Sequence, residues 1–199
     1  MGATMNLNAA FLRDKLRETL ADPQAAARSL IDLNPPVEGR WLGLALVAVL
    51  SAFMGQVGVL MLAADQTPLA VGAGASVVVQ GVLLVITVFA VHGVGRMFGG
   101  TGEFPDALLL VAWLQFLMVG LQAVQLLSLL LIPPLAGMIG ILSIALFLWV
   151  LTNFVSVLHG FDSLVRVFGM IIVSFMAIAF LVAFVLALLG VQGPGVADA

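Results

Sequence analysis

The 199 residues contain no cysteine and no tyrosine. Without cysteine there are no disulfides, thiolate metal sites or cysteine nucleophiles. Without tyrosine, tryptophan alone can supply the amphipathic rings that anchor helices at a membrane surface. Charge is scarce too. Seven Lys and Arg and ten Asp and Glu make up 9% of the chain, against 63% hydrophobic residues. A soluble domain carries about 25% charged and about 45–50% apolar residues. The shortage excludes an ordinary soluble enzyme and a disordered chain. It also excludes nucleic acid as a partner, which would require a basic face. A net charge of −3 selects no partner by itself.

The position of the charges is more informative than their number. More than half precede Trp41, and the rest of the chain holds four uncharged runs: Trp41–Ala64, Gln66–Gly95, Ala107–Phe161 and Val167–Ala197. A helix needs about 20 mostly apolar residues to cross roughly 30 Å of hydrocarbon. The third run is long enough for two crossings, and Pro133-Pro134 divides it near its middle. The predicted fold is therefore all-α: a polytopic membrane protein with a five-transmembrane-helix bundle and short amphipathic N-terminal helices. The spans are expected at Trp41–Ala64, Val71–Met97, Ala107–Leu131, Leu135–Leu158 and Leu164–Leu189. Residues 1–40 form the N-terminal region, 41–189 the transmembrane domain and 190–199 a short tail. The linkers Asp65–Ala70, Phe98–Asp106, Ile132–Pro134 and His159–Ser163 are short, so consecutive helices are expected to run antiparallel.

Before the first span, Ala9, Leu12, Leu16 and Leu20 recur every four residues within Asn6–Leu20, opposite Arg13, Asp14, Arg17 and Glu18. This pattern predicts an amphipathic helix. Asp22-Pro23 then supplies an N-cap and a first-turn proline. A second helix over Pro23–Leu33 places Ala26, Ala27, Leu30 and Ile31 on one face and ends at Asn34-Pro35-Pro36, because a residue before proline is pushed out of helical geometry. The pair is expected either to lie along the membrane interface or pack under the bundle, or to form a soluble cap.

Orientation follows from the basic residues. With the N-terminus in the cytoplasm, Arg13, Lys15, Arg17, Arg28, Arg40, Arg96 and Arg166 all fall on the cytoplasmic side, as the positive-inside rule requires. Five crossings put the C-terminus on the opposite side. Trp41 and Trp113, near span starts, are expected as interface anchors, and the deeper Trp149 as a packing residue.

No ionisable residue lies near the middle of a span, which weakens proton relays and ion-coupled carriage. The polar residues within spans are mostly amides. Gln115, Gln122 and Gln125 fall within an arc of about 80° at 3.6 residues per turn, and Gln56, Gln80 and Asn153 sit on three other helices. They form either a polar track for a substrate or a set of helix–helix hydrogen bonds. His92 and His159 are expected at similar depth near the cytoplasmic ends of two spans. They are either a metal- or haem-ligating pair or interfacial rings bonded to backbone or headgroup. Around them lie Arg96, Glu103, Asp106, Asp162 and Arg166. Asp162 and Arg166 have the spacing of a helical ion pair, while Glu103 and Asp106, flanking Pro105, suit the positive end of a helix. Gly95, Gly99, Gly100 and Gly102 mark a tight turn, and Ser51/Gly55 and Gly95/Gly99 have small-xxx-small spacing suited to helix contact. No catalytic residue, cofactor or metal site is assigned.

Three stretches together carry a family likeness: the Asp22-Pro23-x-x-Ala-Ala segment, the turn Phe98-Gly99-Gly100-Thr101-Gly102-Glu103-Phe104-Pro105-Asp106-Ala107-Leu108, and Trp149-x-x-x-x-Phe154 through His159-Gly160-Phe161. With the five-span layout, they resemble the bacterial branch of the YIP (Ypt/Rab-interacting protein) family of integral membrane proteins. The resemblance implies a five-span protein without an assigned reaction, in a bacterial inner membrane. Eukaryotic relatives are associated with Rab-type GTPases and vesicle traffic. Their Asp-Leu-Tyr-Gly-Pro element is absent here, so Rab binding is not carried over. The leading expectation is a non-enzymatic membrane protein acting through lipids, another membrane protein or a second copy of itself. The alternatives are a small-solute or lipid transporter subunit using the amide track, and a bis-histidine metal or haem protein.

Overall fold

The computed structural model describes residues 9–62 and 72–188. Among them every regular element is a helix: α1 (Ala9–Ala21), α2 (Pro23–Asp32), α3 (Val37–Leu62), α4 (Ala73–Met97), α5 (Phe104–Leu131), α6 (Pro133–His159) and α7 (Leu164–Leu188). The five long helices are each long and apolar enough to cross a membrane. The expected linker Asp65–Ala70, the tail Gly190–Ala199 and the expected span limits Ala64, Val71 and Leu189 lie outside the described residues.

At several ends the helices outrun the apolar stretches, because hydrogen bonding continues where hydropathy stops. α3 takes in Glu38 and Arg40. α5 and α6 open with proline in the first turn, where the missing N–H has no intrahelical partner to lose. α5, with 28 residues, is about 42 Å long at 1.5 Å per residue, well beyond the roughly 30 Å of hydrocarbon.

α5 is the central post, packed against α2, α3, α4 and α6, while α7 leans on α6. The core is uneven along the bundle. Its buried residues include Leu44, Val47 and Ala48 in the first half of α3, Leu84 and Val88 in the second half of α4, Leu108, Val111 and Leu114 in the first half of α5, Val150, Phe154 and Leu158 in the second half of α6, and Val167 near the start of α7. In an antiparallel bundle these segments share one end. The short helices close that end, with Ala26, Ala27 and Leu30 of α2 buried against α5 and α6. We call it the capped end. Toward the open end, large apolar side chains such as Leu60, Val78, Leu130 and Ile141 are exposed, as lipid-facing residues must be.

The short helices pack against the bundle, α2 on α5 and α6 and α1 on α2. Asp22 caps α2 as expected, its carboxylate accepting the Ala25 N–H at 2.9 Å. On α1, Leu12 and Leu16 pack on the core as expected, but the last position differs: Leu20 is 49% exposed, and the neighbouring Thr19 is fully buried. The reason is polar. The Trp113 indole N–H donates to Thr19 Oγ1 at 3.0 Å, and Thr19 donates onward to the Lys15 carbonyl at 2.8 Å. This bond also corrects the reading of the tryptophans. Trp113 is 9% exposed and belongs to the core, whereas Trp149, expected to pack, is 42% exposed.

Candidate functional site

Two polar regions meet α5 at different heights. At the capped end, His159 closes α6 and is 2% exposed. Its Nδ1 accepts the Gly102 N–H at 3.2 Å, which places the ring hydrogen on Nε2, donating to the Val91 carbonyl at 3.1 Å. The ring thus ties α6 to α4 and to the α4–α5 turn. The Thr101 N–H adds a bond to the His159 carbonyl at 3.3 Å. Glycine makes the seat. A Cβ on Gly95, Gly100 or Gly102 would come within 3.0 Å of the imidazole, and on Gly102 also of the Leu158 backbone. Gly160 reverses the chain after the helix at φ 69°, a left-handed conformation that suits glycine.

With both ring nitrogens bonded to backbone, His159 has no lone pair free for a metal, which removes one member of the proposed histidine pair. His92 lies edge-on to Phe104 at 5.7 Å, and its buried Nδ1 has no hydrogen-bond partner. The glycine spacings also behave differently from helix-contact motifs. Gly95 packs on an imidazole, and Gly55 has nothing within 4 Å of an added Cβ.

The charges around this seat are divided. Asp106 pairs with Arg40 at 2.7 Å. Arg40, 4% exposed, also donates to the Pro35 carbonyl at 2.9 Å and to Asn34 Oδ1 at 2.8 Å. The guanidinium therefore fixes the α2–α3 corner to the start of α5, a role that sequence reasoning missed for Arg40. Glu103 occupies the N-cap position of α5 but makes no side-chain cap bond. Asp162 lies ahead of α7 and forms no ion pair with Arg166. Instead the Arg166 N–H donates to Ser163 Oγ at 3.3 Å. Arg96 is exposed at the end of α4.

The second region lies further toward the open end, between α3, α4 and α5. It is a cleft of about 480 Å³ lined by Ser51, Gly55 and Gln56 of α3, Ser76 and Gln80 of α4, and Gln115 and Gln122 of α5. Four of the six amides singled out in the sequence thus converge. Gln56 donates to Ser76 Oγ, joining α3 to α4, and Gln115 donates to Ser51 Oγ, joining α3 to α5. The other two amides are engaged elsewhere. Gln125 bonds the Ala136 carbonyl on α6 at 3.2 Å, and buried Asn153 bonds the Trp149 carbonyl within its own helix at 2.8 Å. Between the cleft and the capped end, Val47 and Ala48 of α3 and Leu84 and Val88 of α4 are buried in the core. The cleft volume falls within the roughly 300–1,000 Å³ usual for small-molecule sites.

Five long apolar helices, a helical cap at one end and an amide-lined cleft among the spans define an integral membrane protein. A family model described as Yip1 domain matches residues 17–187, nearly the whole chain. The chain belongs to the Yip1 family. No curated protein and no solved structure matches it.

Proposed function

We propose that this chain has no reaction of its own and works as a membrane scaffold, through contact with lipids, another membrane protein or a second copy of itself. The observation that carries this reading is how the polar side chains are used. His159, Arg40, Asp106, Thr19 and Trp113 are committed to bonds that hold the capped end together. What is left over is a cleft lined, among the described residues, by neutral amides, serines and apolar side chains. The placement is a bacterial inner membrane with the capped end in the cytoplasm, supported by the seven basic residues, all of which belong to that end of the bundle or to α1 and α2.

The carrier reading draws support from the convergence of Gln56, Gln80, Gln115 and Gln122 on one cleft. Against it stand Gln125 and Asn153, which bond other partners, and the buried apolar side chains of α3 and α4 between the cleft and the capped end. That geometry favours a site that holds over a path that conducts.

Two measurements test the proposal. Liposomes containing only this protein should take up no solute faster than empty ones, and protein-dependent counterflow would replace the scaffold with a carrier. For orientation, the cysteine-free chain permits single-cysteine labelling in sealed cells. Gln66→Cys and Gly195→Cys should react with an impermeant maleimide, and Glu103→Cys should not. Labelling of Glu103→Cys would reverse the topology. Glu103 is exposed and serves better than Gly102, where any side chain collides with Leu158.

A further inference from the structure

The lining of the α3–α4–α5 cleft states what it can hold. Among the described residues no charged side chain lines it. A phosphate or ammonium taken into it would lose hydration without a counter-charge, at a prohibitive cost in an apolar medium. A neutral group rich in hydroxyls or amides meets the opposite situation, since each glutamine offers two N–H donors and a carbonyl acceptor.

Of the four amides, Gln56 and Gln115 are bonded to serines and brace the walls. Gln80 and Gln122, on facing helices and only half-buried, make no hydrogen bond within the described residues. At membrane depth an unsatisfied amide costs several kcal/mol if lipid tails are its only surroundings. The space in front of these amides is kept open by Gly55, where an added Cβ meets nothing within 4 Å. The rim is apolar: Val59 and Val79 line the cleft and are themselves exposed to the lipid side, with Val78 and Val82 continuing along α4. A polar pocket with an apolar margin matches an amphiphile whose head is inside and whose tail runs along the helix surface.

We propose that this cleft binds a neutral, multiply hydrogen-bonding head group of the polyol or amide class, with Gln80 and Gln122 as its principal partners. The inference deepens the scaffold reading by naming the ligand chemistry, and rests on it only in taking the cleft as a holding site. The head can arrive on a lipid or as a free solute, and the test separates these sources.

The experiment is a titration of the purified full chain, in neutral detergent, read by the shift in its unfolding temperature. The probes are a monoacylglycerol, free glycerol and an anionic phosphatidylglycerol. The monoacylglycerol should raise the unfolding temperature saturably, and phosphatidylglycerol should not at the same concentration. Saturation by glycerol at similar concentrations would assign the site to free solutes, and a response to the monoacylglycerol alone would assign it to lipid. Gln80→Leu and Gln122→Leu should each unfold near the wild-type temperature without probe and raise the half-saturating concentration at least roughly tenfold, equivalent to about 1.4 kcal/mol. Gly55→Leu, which fills the cleft, should abolish the response. Absence of a saturable response to both neutral probes, an equal response to phosphatidylglycerol, or an unaltered response in all three variants would overturn the proposal. Solute counterflow in liposomes would instead overturn the scaffold reading and leave the binding result standing.

Discussion

Gly93 and Gly95 sit two residues apart on α4, and replacing each with alanine should have opposite effects. A Cβ on Gly93 meets nothing within 4 Å, while one on Gly95 enters the space of the His159 imidazole. Alanine is favoured over glycine inside a helix by about 1 kcal/mol, so Gly93→Ala should stabilise by up to that amount. Gly95→Ala gains the same backbone benefit but overfills a packed site, which costs about 1–3 kcal/mol. The ring cannot swing aside cheaply, because it is held at Nδ1 by the Gly102 N–H and at Nε2 by the Val91 carbonyl. Freeing it strands two backbone groups at about 1–3 kcal/mol each. With the ring pinned, the overfilling cost falls in the upper half of its range, about 2–3 kcal/mol, and after the backbone benefit of about 1 kcal/mol the net expectation is a loss of about 1–2 kcal/mol. For a chain of this length, 1 kcal/mol moves the unfolding midpoint by about 2–4 °C. Thermal unfolding in mild detergent, followed by tryptophan emission, should therefore show Gly95→Ala falling by about 2–8 °C and Gly93→Ala rising by about 2–4 °C. A His159→Ala background supplies the decisive control: removing the ring should turn Gly95→Ala neutral or stabilising. If the two glycine variants shift together, or the Gly95/His159 cycle is additive within about 0.5 kcal/mol, the imidazole seat is not what glycine serves at this position.

Three further outcomes are expected. Arg40→Ala should lower the unfolding midpoint more than Asp106→Asn does. It removes a buried guanidinium with three acceptors and costs about 3 kcal/mol, the lower end of the range for breaking a buried pair; equal, negligible effects would refute the corner assignment. Trp113→Phe should cost about 1 kcal/mol through the lost bond to Thr19, and adding Thr19→Val should cost less than the two single changes summed. Gly160→Ala should destabilise by about 1–2 kcal/mol, the strain of a left-handed position on a residue with a Cβ, measurable by the same melt; an unchanged midpoint would refute it.

The spans were legible because hydrocarbon admits so little charge that gaps between charged residues trace the crossings directly. Helix pairing was much less so. The bonds Arg40–Asp106, Trp113–Thr19 and Gly102–His159 join residues 66, 94 and 57 positions apart, and nothing local in the sequence predicts them. Asp106 looked like a cap residue because its helix position alone explains a carboxylate, and Arg40 was counted only as a topological charge. On α1 Leu12 and Leu16 pack on the core as expected. At the end of the helix, though, Thr19 is buried in place of Leu20: hydropathy ranks Leu20 above Thr19 and does not register the hydrogen bond from the Trp113 indole. Among the amides the sequence showed polarity at span depth. Which of them share a cleft depends on how far apart α3, α4 and α5 stand, and a hydrophobic pattern does not encode that distance.

The long reach of those bonds sets a timetable for biogenesis. Thr19 cannot meet Trp113 until the next 94 residues have been synthesised, which at about 5–20 residues per second takes roughly 5–20 s. Through that interval α1 and α2 are already made while the α5 and α6 surfaces that receive them are not. The nascent chain therefore waits with Ala26, Ala27 and Leu30 uncovered. Closure comes late, after α6 has delivered His159 to the glycines of the preceding turn. Assembly of the capped end is thus a checkpoint on insertion: a chain whose fifth or sixth helix fails to enter the membrane cannot hide its own N-terminal helices, and leaves them in reach of chaperones and proteases.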